Sequence, residues 1–336
     1  MEDIEYILLK YAKIIDHYIL ERLTGTPEEL YNAALHLIKA GGKRLRPTLT
    51  LLVARLLGGV EAESRATPLA AAVEISHNFT LIHDDIMDRD DYRRGVPTVH
   101  RLWGESWAIL AGDLLHAYAY KFVVNSVEYG LGKSESHEAM KILTTAGIKV
   151  SRGQAYDLLF EKKWDIRVID YLDMVHHKTG AMLEASAKLG AVAARASSDI
   201  VELMGQYGGL LGVAFQIRDD YLGVFGDPGK TGKPIYSDLR RGKKTLLVLY
   251  TLSKASQEDR EFIIKTLSPD TAKSEEDIAR IAQLIKEYKA DIEAMNLARV
   301  YVERAKEIVS ELRGVVDENS RNILLRLADY VVSREK

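Results

Sequence analysis

Two apolar stretches of helical periodicity each close on paired aspartates, and each is followed by a basic segment containing glycine. The first runs from Phe79 through Asp84-Asp85-Ile86-Met87-Asp88 to Arg93-Arg94-Gly95. The second runs Gln216-Ile217-Arg218-Asp219-Asp220-Tyr221-Leu222-Gly223 and opens a long loop reaching Gly242-Lys243-Lys244-Thr245. A helix advances about 100° and 1.5 Å per residue, so Asp84 and Asp88 lie about 40° apart on one face, one turn from each other. Carboxylates so placed repel, which invites a divalent cation. Hard oxygen ligands suit Mg²⁺, which takes one or two protein carboxylates and fills its shell with substrate phosphates. Among 336 residues with 49 acids, one acid-acid-x-x-acid pattern arises about once by chance. Either cluster alone therefore reads equally well as a solvated helix end.

With 7 prolines, 47% hydrophobic residues and helical periodicity nearly throughout, we expect an all-α fold: a single domain over residues 1–336 with a substantial core. A net charge of −3 argues against general nucleic-acid binding. The absence of cysteine excludes disulfides and thiolate metal sites. The acidic N-terminus lacks the pattern of a signal peptide, and Arg55, Lys121 and Arg195 interrupt the apolar runs, so we expect a soluble cytoplasmic protein without membrane insertion.

Along the chain, a helix to about Glu21 precedes Thr26-Pro27-Glu28-Glu29, which reads as an N-cap, a first-position proline and a capping box. Gly41-Gly42 ends that helix before the basic loop Lys43-Arg44-Leu45-Arg46-Pro47, where the glycines let the chain wrap an anion. The ordinary alternative is charge complementing a helix dipole. A helix from about Ser64, with Pro68 in its first turn, carries His77 within about 20° of Asp84, two turns earlier. Asp90–Thr98 reads as a polar loop. Long apolar helices follow at about 105–127 and 134–159; on the second, Gln154 and Asp157 share a face, more simply as a packed or solvated pair. A helix over about 166–195 contains Lys178-Thr179-Gly180, which suggests a local kink exposing donors. The loop of residues 226–245 is of a length usually reserved for function. Gly229-Lys230-Thr231 within it is not a P-loop, because Val224 stands where the required glycine would be. From about Leu246 onward the chain reads as amphipathic helices for packing and solubility, without chemistry.

Two acidic helix ends, their basic loops, and Lys43, Arg46, Lys178 and Thr179 describe a site for divalent metal and diphosphate together. No activated serine or cysteine nucleophile is present. Departure of a metal-bound diphosphate is the natural chemistry.

These motifs, in this order over residues 38–250, resemble the trans-type isoprenyl diphosphate synthases, or polyprenyl synthetases, most nearly the archaeal geranylgeranyl type. The resemblance implies the isoprenoid synthase fold with its two aspartate motifs facing across a deep cavity, usually in a homodimer or higher homo-oligomer. It implies that Asp84, Asp88 and Asp219 bind three Mg²⁺ with the allylic diphosphate. Arg93, Lys178, Thr179, Gln216, Lys233 and Lys243 would contact that substrate, while Lys43, Arg46, His77 and Arg94 hold isopentenyl diphosphate. The catalytic set it implies is Asp84, Asp85, Asp88, Asp219, Lys178 and Arg93. The reaction would be ionisation, condensation and elimination, resting on electrostatic stabilisation of the leaving group.

One position departs from the family. Gly223 stands where many members have aspartate, leaving Asp227, one turn on, or no residue at all, to serve. The resemblance also makes Phe79 and Thr80 the chain-length residues, with geranylgeranyl diphosphate (C20) as the product; farnesyl (C15) or mixed C15/C20 synthesis is the alternative. Helix geometry does not aim Phe79 along the Asp84 face, since five residues turn about 140°. A class I terpene cyclase would be expected to carry an Asn/Ser/Glu metal motif in place of Asp219-Asp220. A non-catalytic regulatory subunit would be expected to have lost ligands that this chain keeps.

Overall fold

The computed structural model describes residues 3–227, 229, 235–269, 271–313 and 315–335. Asp3 caps the first helix, α1 (Ile4–Arg22), by accepting from Glu5 N. The next, α2 (Glu28–Lys39), starts one residue later than expected. Pro27 is extended (φ −69, ψ 143) and takes the cap position itself, so neither it nor Thr26 supplies a side-chain cap.

Arg44, in the left-handed region, opens α3 (Leu45–Met87), which is two helical segments joined at Gly59 (φ 67, ψ −161). Only glycine takes that conformation readily. The break orphans the Leu56 carbonyl, and Val316 N takes it at 2.8 Å. The second segment thus starts earlier than Ser64 and places Pro68 in its interior rather than its first turn.

After α3 the polar stretch forms a two-residue antiparallel ribbon, β1 (Tyr92–Arg93) against β2 (Val96–Pro97), with Arg93 opposite Val96. Arg94 and Gly95 turn it with φ 55 and 76, the paired positive φ that matches strand twist. Then come α4 (Val99–Trp103), α5 (Glu105–Asn125), α6 (Lys133–Phe160) and α7 (Val168–Val175). A π-helical turn at His176–Gly180 joins α7 to α8 (Ala181–Ala193), and α9 (Ser198–Phe225) follows. Later helices span Ser237–Arg240, Leu246–Lys254, Gln257–Leu267, Glu275–Glu287, Ala290–Glu311 and Glu318–Ser333. The fold is all-α, as expected.

The chain divides into two compact units. The first comprises Met1–Gly147, Met182–Gly208 and Ile308–Leu327. Its core holds Ile15, Ile19, Leu37, Leu49, Leu52 and Phe122, all fully buried. Small residues bring its helices together: a Cβ on Gly190 of α8 would lie 2.4 Å from Thr50 O of α3, and one on Gly112 of α5 would lie 2.2 Å from His83 Nε2.

The second unit comprises Ile148–Ala181, Gly209–Glu307 and Ala328–Lys336. Its core gathers Tyr171, Ile217, Leu239, Leu246, Ile263 and Leu284. Ser256 and Ser274 cap two of its helices, each accepting a backbone N–H at 3.1 Å. By length and composition α9 is apolar enough to cross a membrane, but 61% of its most apolar window is buried within the protein, as in a core helix.

Candidate active site

In the first unit α3 delivers Asp84 and Asp88 one turn apart, with Asp88 N bonded to Asp84 O at 2.8 Å and both side chains partly exposed. Asp85, about 100° round the helix, points inward and is 1% exposed. The β1–β2 ribbon returns Arg93 to it: Nε donates to Asp85 Oδ1 at 2.7 Å, while Nη2 lies 2.5 Å from that oxygen and 3.1 Å from Asp90. Burial raises the Asp85 carboxyl to about 6, against the pull of Arg93. Asp85 and Arg93, both expected among the catalytic groups, are therefore tied to each other.

Two turns before Asp84, His77 lies among guanidinium groups. Burial first, then the charges of Arg46, Arg94, Arg93 and Arg44, hold its imidazole well below the usual range, so the ring is neutral. Arg46 and Arg94 thus come into His77's field, as the shared helix face and the basic loops imply. Lys43 sits in the same loop, after Gly41 (φ 88) and Gly42 (φ 144). A Cβ on Gly42 would lie 3.0 Å from Arg44 Nη1 and 3.1 Å from Arg94 Cζ, so side chains as well as φ require glycine.

Sequence reasoning missed what fastens this loop. The Arg44 guanidinium is fully buried and bonds Asp16 (2.7 Å), Glu74 (3.0 Å), Ile38 O (2.6 Å) and Gly41 O (3.0 Å). Arg94 donates to Leu37 O at 2.7 Å and Asn78 Oδ1 at 3.1 Å, and Asn78 donates to Glu74 Oε1 at 2.8 Å. Burial lowers the Arg94 guanidinium to about 10. The available signal was Glu74 and Asn78, four apart and following the apolar run Leu69–Val73, where a buried carboxylate demands a cationic partner.

Phe79 is partly buried and touches two histidine rings: His83 edge-on at 4.9 Å and His116 tilted at 4.7 Å. Thr80 turns its hydroxyl back to His77 O, at 2.8 Å.

The second unit builds its cluster from α6, the π-helical turn, α9 and residues 243–245, around a recess lined by Asp157, Lys178, Thr179, Gln216, Asp220 and Lys243. The expected kink at Lys178-Thr179-Gly180 is that turn, an irregularity common at functional sites. It sits where backbones nearly touch. A Cβ on Gly153 would lie 2.3 Å from Lys178 N, and one on Gly212 would lie 2.4 Å from Gly180 Cα. Lys178 Nζ reaches Asp157 Oδ2 at 2.6 Å, and Lys243 Nζ reaches the same oxygen at 3.5 Å. Burial would raise Asp157, but Lys243 and Lys178 together outweigh it and hold the carboxyl below its usual range. Asp157 is therefore the anchor of two expected diphosphate ligands rather than a plain packed or solvated residue. Thr179 donates to Gln216 Oε1 at 2.7 Å, and Gln216 Nε2 donates to Asp220 Oδ1 at 2.8 Å.

Asp220 is buried and takes the Tyr171 hydroxyl at 2.5 Å. Burial, with Asp238 nearby, raises its carboxyl to about 7. Asp219, its neighbour, stays partly exposed and meets Arg334 Nη2 at 3.3 Å. Arg334 also stacks over Phe215 at 4.0 Å, and its carbonyl accepts from Arg218. The C-terminal stretch, expected to serve only packing and solubility, thus reaches the second aspartate pair. Lys244 lies over Trp164 at 4.3 Å and donates to Glu161 O; burial lowers it to about 8.

Gly223 has a steric explanation. Asp238 packs against it so closely that a Cβ at 223 would lie 2.2 Å from Asp238 Oδ2. Asp227, considered as a substitute, accepts from Gly229 N in its own loop at 2.9 Å. Lys233 lies outside the described residues. No group of three ligating side chains stands preassembled among the described residues. A cation held by Asp84 and Asp88 or by Asp219 would complete its shell from substrate oxygens and water, which is how Mg²⁺ is commonly bound; the donor set fits that ion.

An all-helical chain whose two aspartate-tipped helices lie beside clustered lysines and arginines defines a diphosphate-handling enzyme. The chain belongs to the polyprenyl synthetase family, whose model matches residues 27–285. It is 55% identical to the geranylfarnesyl diphosphate synthase of Aeropyrum pernix over 96% of this chain and 100% of that one. It is 43% identical to the geranylgeranyl diphosphate synthase of Saccharolobus solfataricus over 91% of each. Among solved structures, geranylgeranyl pyrophosphate synthetase from Pyrococcus horikoshii superposes with a TM-score of 0.90 at 36% identity, covering 99% of this chain and 100% of that one. The chain is a prenyl diphosphate synthase, a short-chain trans-prenyltransferase.

Proposed function

We propose that the enzyme condenses isopentenyl diphosphate with dimethylallyl, geranyl and farnesyl diphosphates and releases mainly geranylgeranyl diphosphate (C20). One observation carries the site assignment. In both aspartate pairs one member is buried and bonded, Asp85 to Arg93 and Asp220 to Tyr171 and Gln216. The other member, Asp84 or Asp219, is left partly exposed beside cationic side chains.

In this reading Asp84, Asp88 and Asp219 hold Mg²⁺, which when bound screens the charge gathering on the departing diphosphate. Lys178, Thr179, Gln216, Lys233, Lys243 and Arg93 position the allylic diphosphate, with Arg93 also fixing Asp85 at the end of α3. Lys43, Arg46, His77 and Arg94 hold isopentenyl diphosphate; a neutral His77 donates a hydrogen bond without competing as a cation. The C1–O bond of the allylic substrate breaks with its electron pair going to diphosphate. The isopentenyl double bond then attacks C1, and loss of a proton from the adduct restores an alkene. The chain acts as one catalytic domain over residues 1–336, soluble in the cytoplasm. Half-exposed Ile109 and Leu110, with Val124, on α5 support a homodimer.

Identity to the Aeropyrum enzyme favours a second reading, a C25 product. Incubation with Mg²⁺, isopentenyl diphosphate and each allylic primer, followed by chain-length analysis, separates the two. No elongation from any primer sinks both and favours a regulatory subunit.

A further inference from the structure

The basic loop of the first unit is fastened at one buried atom. Glu74 Oε1, on α3, accepts from Arg44 Nη1 at 3.0 Å and from Asn78 Nδ2 at 2.8 Å, and Arg94 Nη2 lies 3.8 Å from it. These partners come from three places: the loop itself, α3 one turn further on, and the turn between β1 and β2. The Glu74 side chain is 2% exposed and the Arg44 guanidinium is wholly buried.

Charge explains why a carboxylate stands there. Arg44, Arg46, Arg93 and Arg94 all act on His77, so four guanidinium groups crowd a region where burial strengthens their repulsion. Arg93 is met by Asp85 and Asp90, and Arg44 by Asp16 as well as Glu74. For Arg94, Glu74 is the only ion-pair partner among the described residues. Arg94 also gives its hydrogen bonds in one direction. Its Nη1 donates to Leu37 O and Asn78 Oδ1, while Nε and Nη2 make none among the described residues. Gly42 lies directly against this guanidinium, since a Cβ there would be 3.1 Å from Arg94 Cζ. The edge of Arg94 that is left for a ligand therefore borders the loop that carries Lys43 and Arg46.

Resting on the reading that Lys43, Arg46, His77 and Arg94 hold isopentenyl diphosphate, we propose that Glu74 is a positioning residue of that subsite. It acts through Arg44 and Arg94 rather than on the substrate. Its Oε1 sets the spacing between the loop and Arg94, so that Lys43, Arg46 and the Nε–Nη2 edge of Arg94 converge before the diphosphate arrives. Its charge holds Arg94 in that pose against the neighbouring guanidinium groups. Asn78 completes the arrangement by accepting from Arg94 while it donates to Glu74. Donors fixed in advance bind an anion without the cost of gathering them.

The test compares Glu74→Gln, Asn78→Ala, Asp16→Asn and Arg46→Ala with wild type. It reads KM for isopentenyl diphosphate and for farnesyl diphosphate, kcat with both saturating, and thermal unfolding. Calorimetric titration of isopentenyl diphosphate into enzyme without allylic substrate gives its affinity independently of turnover. Glu74→Gln keeps the shape of the side chain and loses its charge. It is expected to raise KM for isopentenyl diphosphate about tenfold, with a matching loss in the calorimetric affinity, while KM for farnesyl diphosphate and kcat stay within about twofold. Asn78→Ala, which leaves the Arg44–Glu74 pair in place, is expected to move the same constant about threefold; should Glu74→Gln fail to fold, an unchanged KM in Asn78→Ala overturns the proposal. Asp16→Asn removes the partner that Arg44 does not share with Arg94 and is expected to lower thermal stability without this shift. A merely structural Glu74 would lower the unfolding temperature and leave the ratio of the two KM values unchanged. If Asp16→Asn raises KM for isopentenyl diphosphate as far as Glu74→Gln does, loosening of the loop accounts for the effect and the joint contact with Arg94 is overturned. If Glu74→Gln leaves that KM unchanged while Arg46→Ala raises it, the subsite stands and the part of Glu74 in it falls. If Arg46→Ala leaves it unchanged too, the reading of the subsite falls as well.

Discussion

The paired aspartates divide their work according to which way each points. Adjacent helical residues differ by about 100°, so one carboxylate enters the protein while its neighbour stays partly exposed. The inward members, Asp85 and Asp220, must be neutralised or hydrogen-bonded, and both are. Asp219→Ala removes the partly exposed carboxylate proposed as a metal ligand and is expected to lower kcat by about 10²–10³-fold in a steady-state condensation assay; unchanged turnover would remove Asp219 from the site. Asp220 gives a different signature. It takes its proton at about pH 7 when folded but near about 3.9 when unfolded. Its contribution to stability is thus full below the unfolded value and is lost as pH rises through the folded one. Metal-free wild type should therefore lose stability relative to Asp220→Asn between about pH 4 and about pH 7 in urea titrations. Parallel curves for the two proteins would contradict the raised carboxyl. Both acidic pairs were legible in the sequence, but their inward and outward members were not. The partners that decide direction, Arg93 and Tyr171, lie 8 and 49 residues away, and helix periodicity carries no information about them.

Among the helices, close approach is the recurring device. The kink at Lys178-Thr179-Gly180 could be read from a lysine, threonine and glycine in an apolar helix. Its cause could not, because that lies in Gly153 of α6 and Gly212 of α9 pressing against it. Gly153→Ala would drive a methyl into the Lys178 backbone and is expected to cost about 1–3 kcal/mol in thermal unfolding. It should also raise KM for the allylic substrate, since Lys178 moves. Gly223→Asp, which restores the residue many family members carry, is expected to destabilise as well. The Asp238 carboxylate already occupies that space, and a further charge would crowd Asp219 and Asp220. A stable, faster Gly223→Asp enzyme would show that Asp238 gives way freely. The sequence marked Gly223 as a departure. Only the return of the chain at Ser237–Arg240 supplies the reason for it.

For the molecule as a whole, composition was enough to establish an all-α protein without disulfides, and motif order was enough to place it in its family. The C-terminal contribution was hidden because Arg334 is 115 residues from Asp219 and sits among ordinary charged positions. A homodimer built through α5 predicts a sedimentation mass twice that of the chain. Replacing Ile109 and Leu110 together with lysine should reduce it to the monomer mass; a persistent dimer would move the interface elsewhere. A chain of net charge −3 attracts diphosphates only through local excesses of positive charge, and the Gly41–Arg46 loop is one. Behind it, Arg44 and Arg94 are matched by Asp16 and Glu74, so that buried layer is nearly charge-neutral and largely shielded from mobile ions. Lys43 and Arg46, by contrast, are partly exposed to solvent and its mobile ions. Rising ionic strength should accordingly weaken isopentenyl diphosphate capture by this loop while leaving the shape of the loop untouched, a loss of affinity without a loss of order.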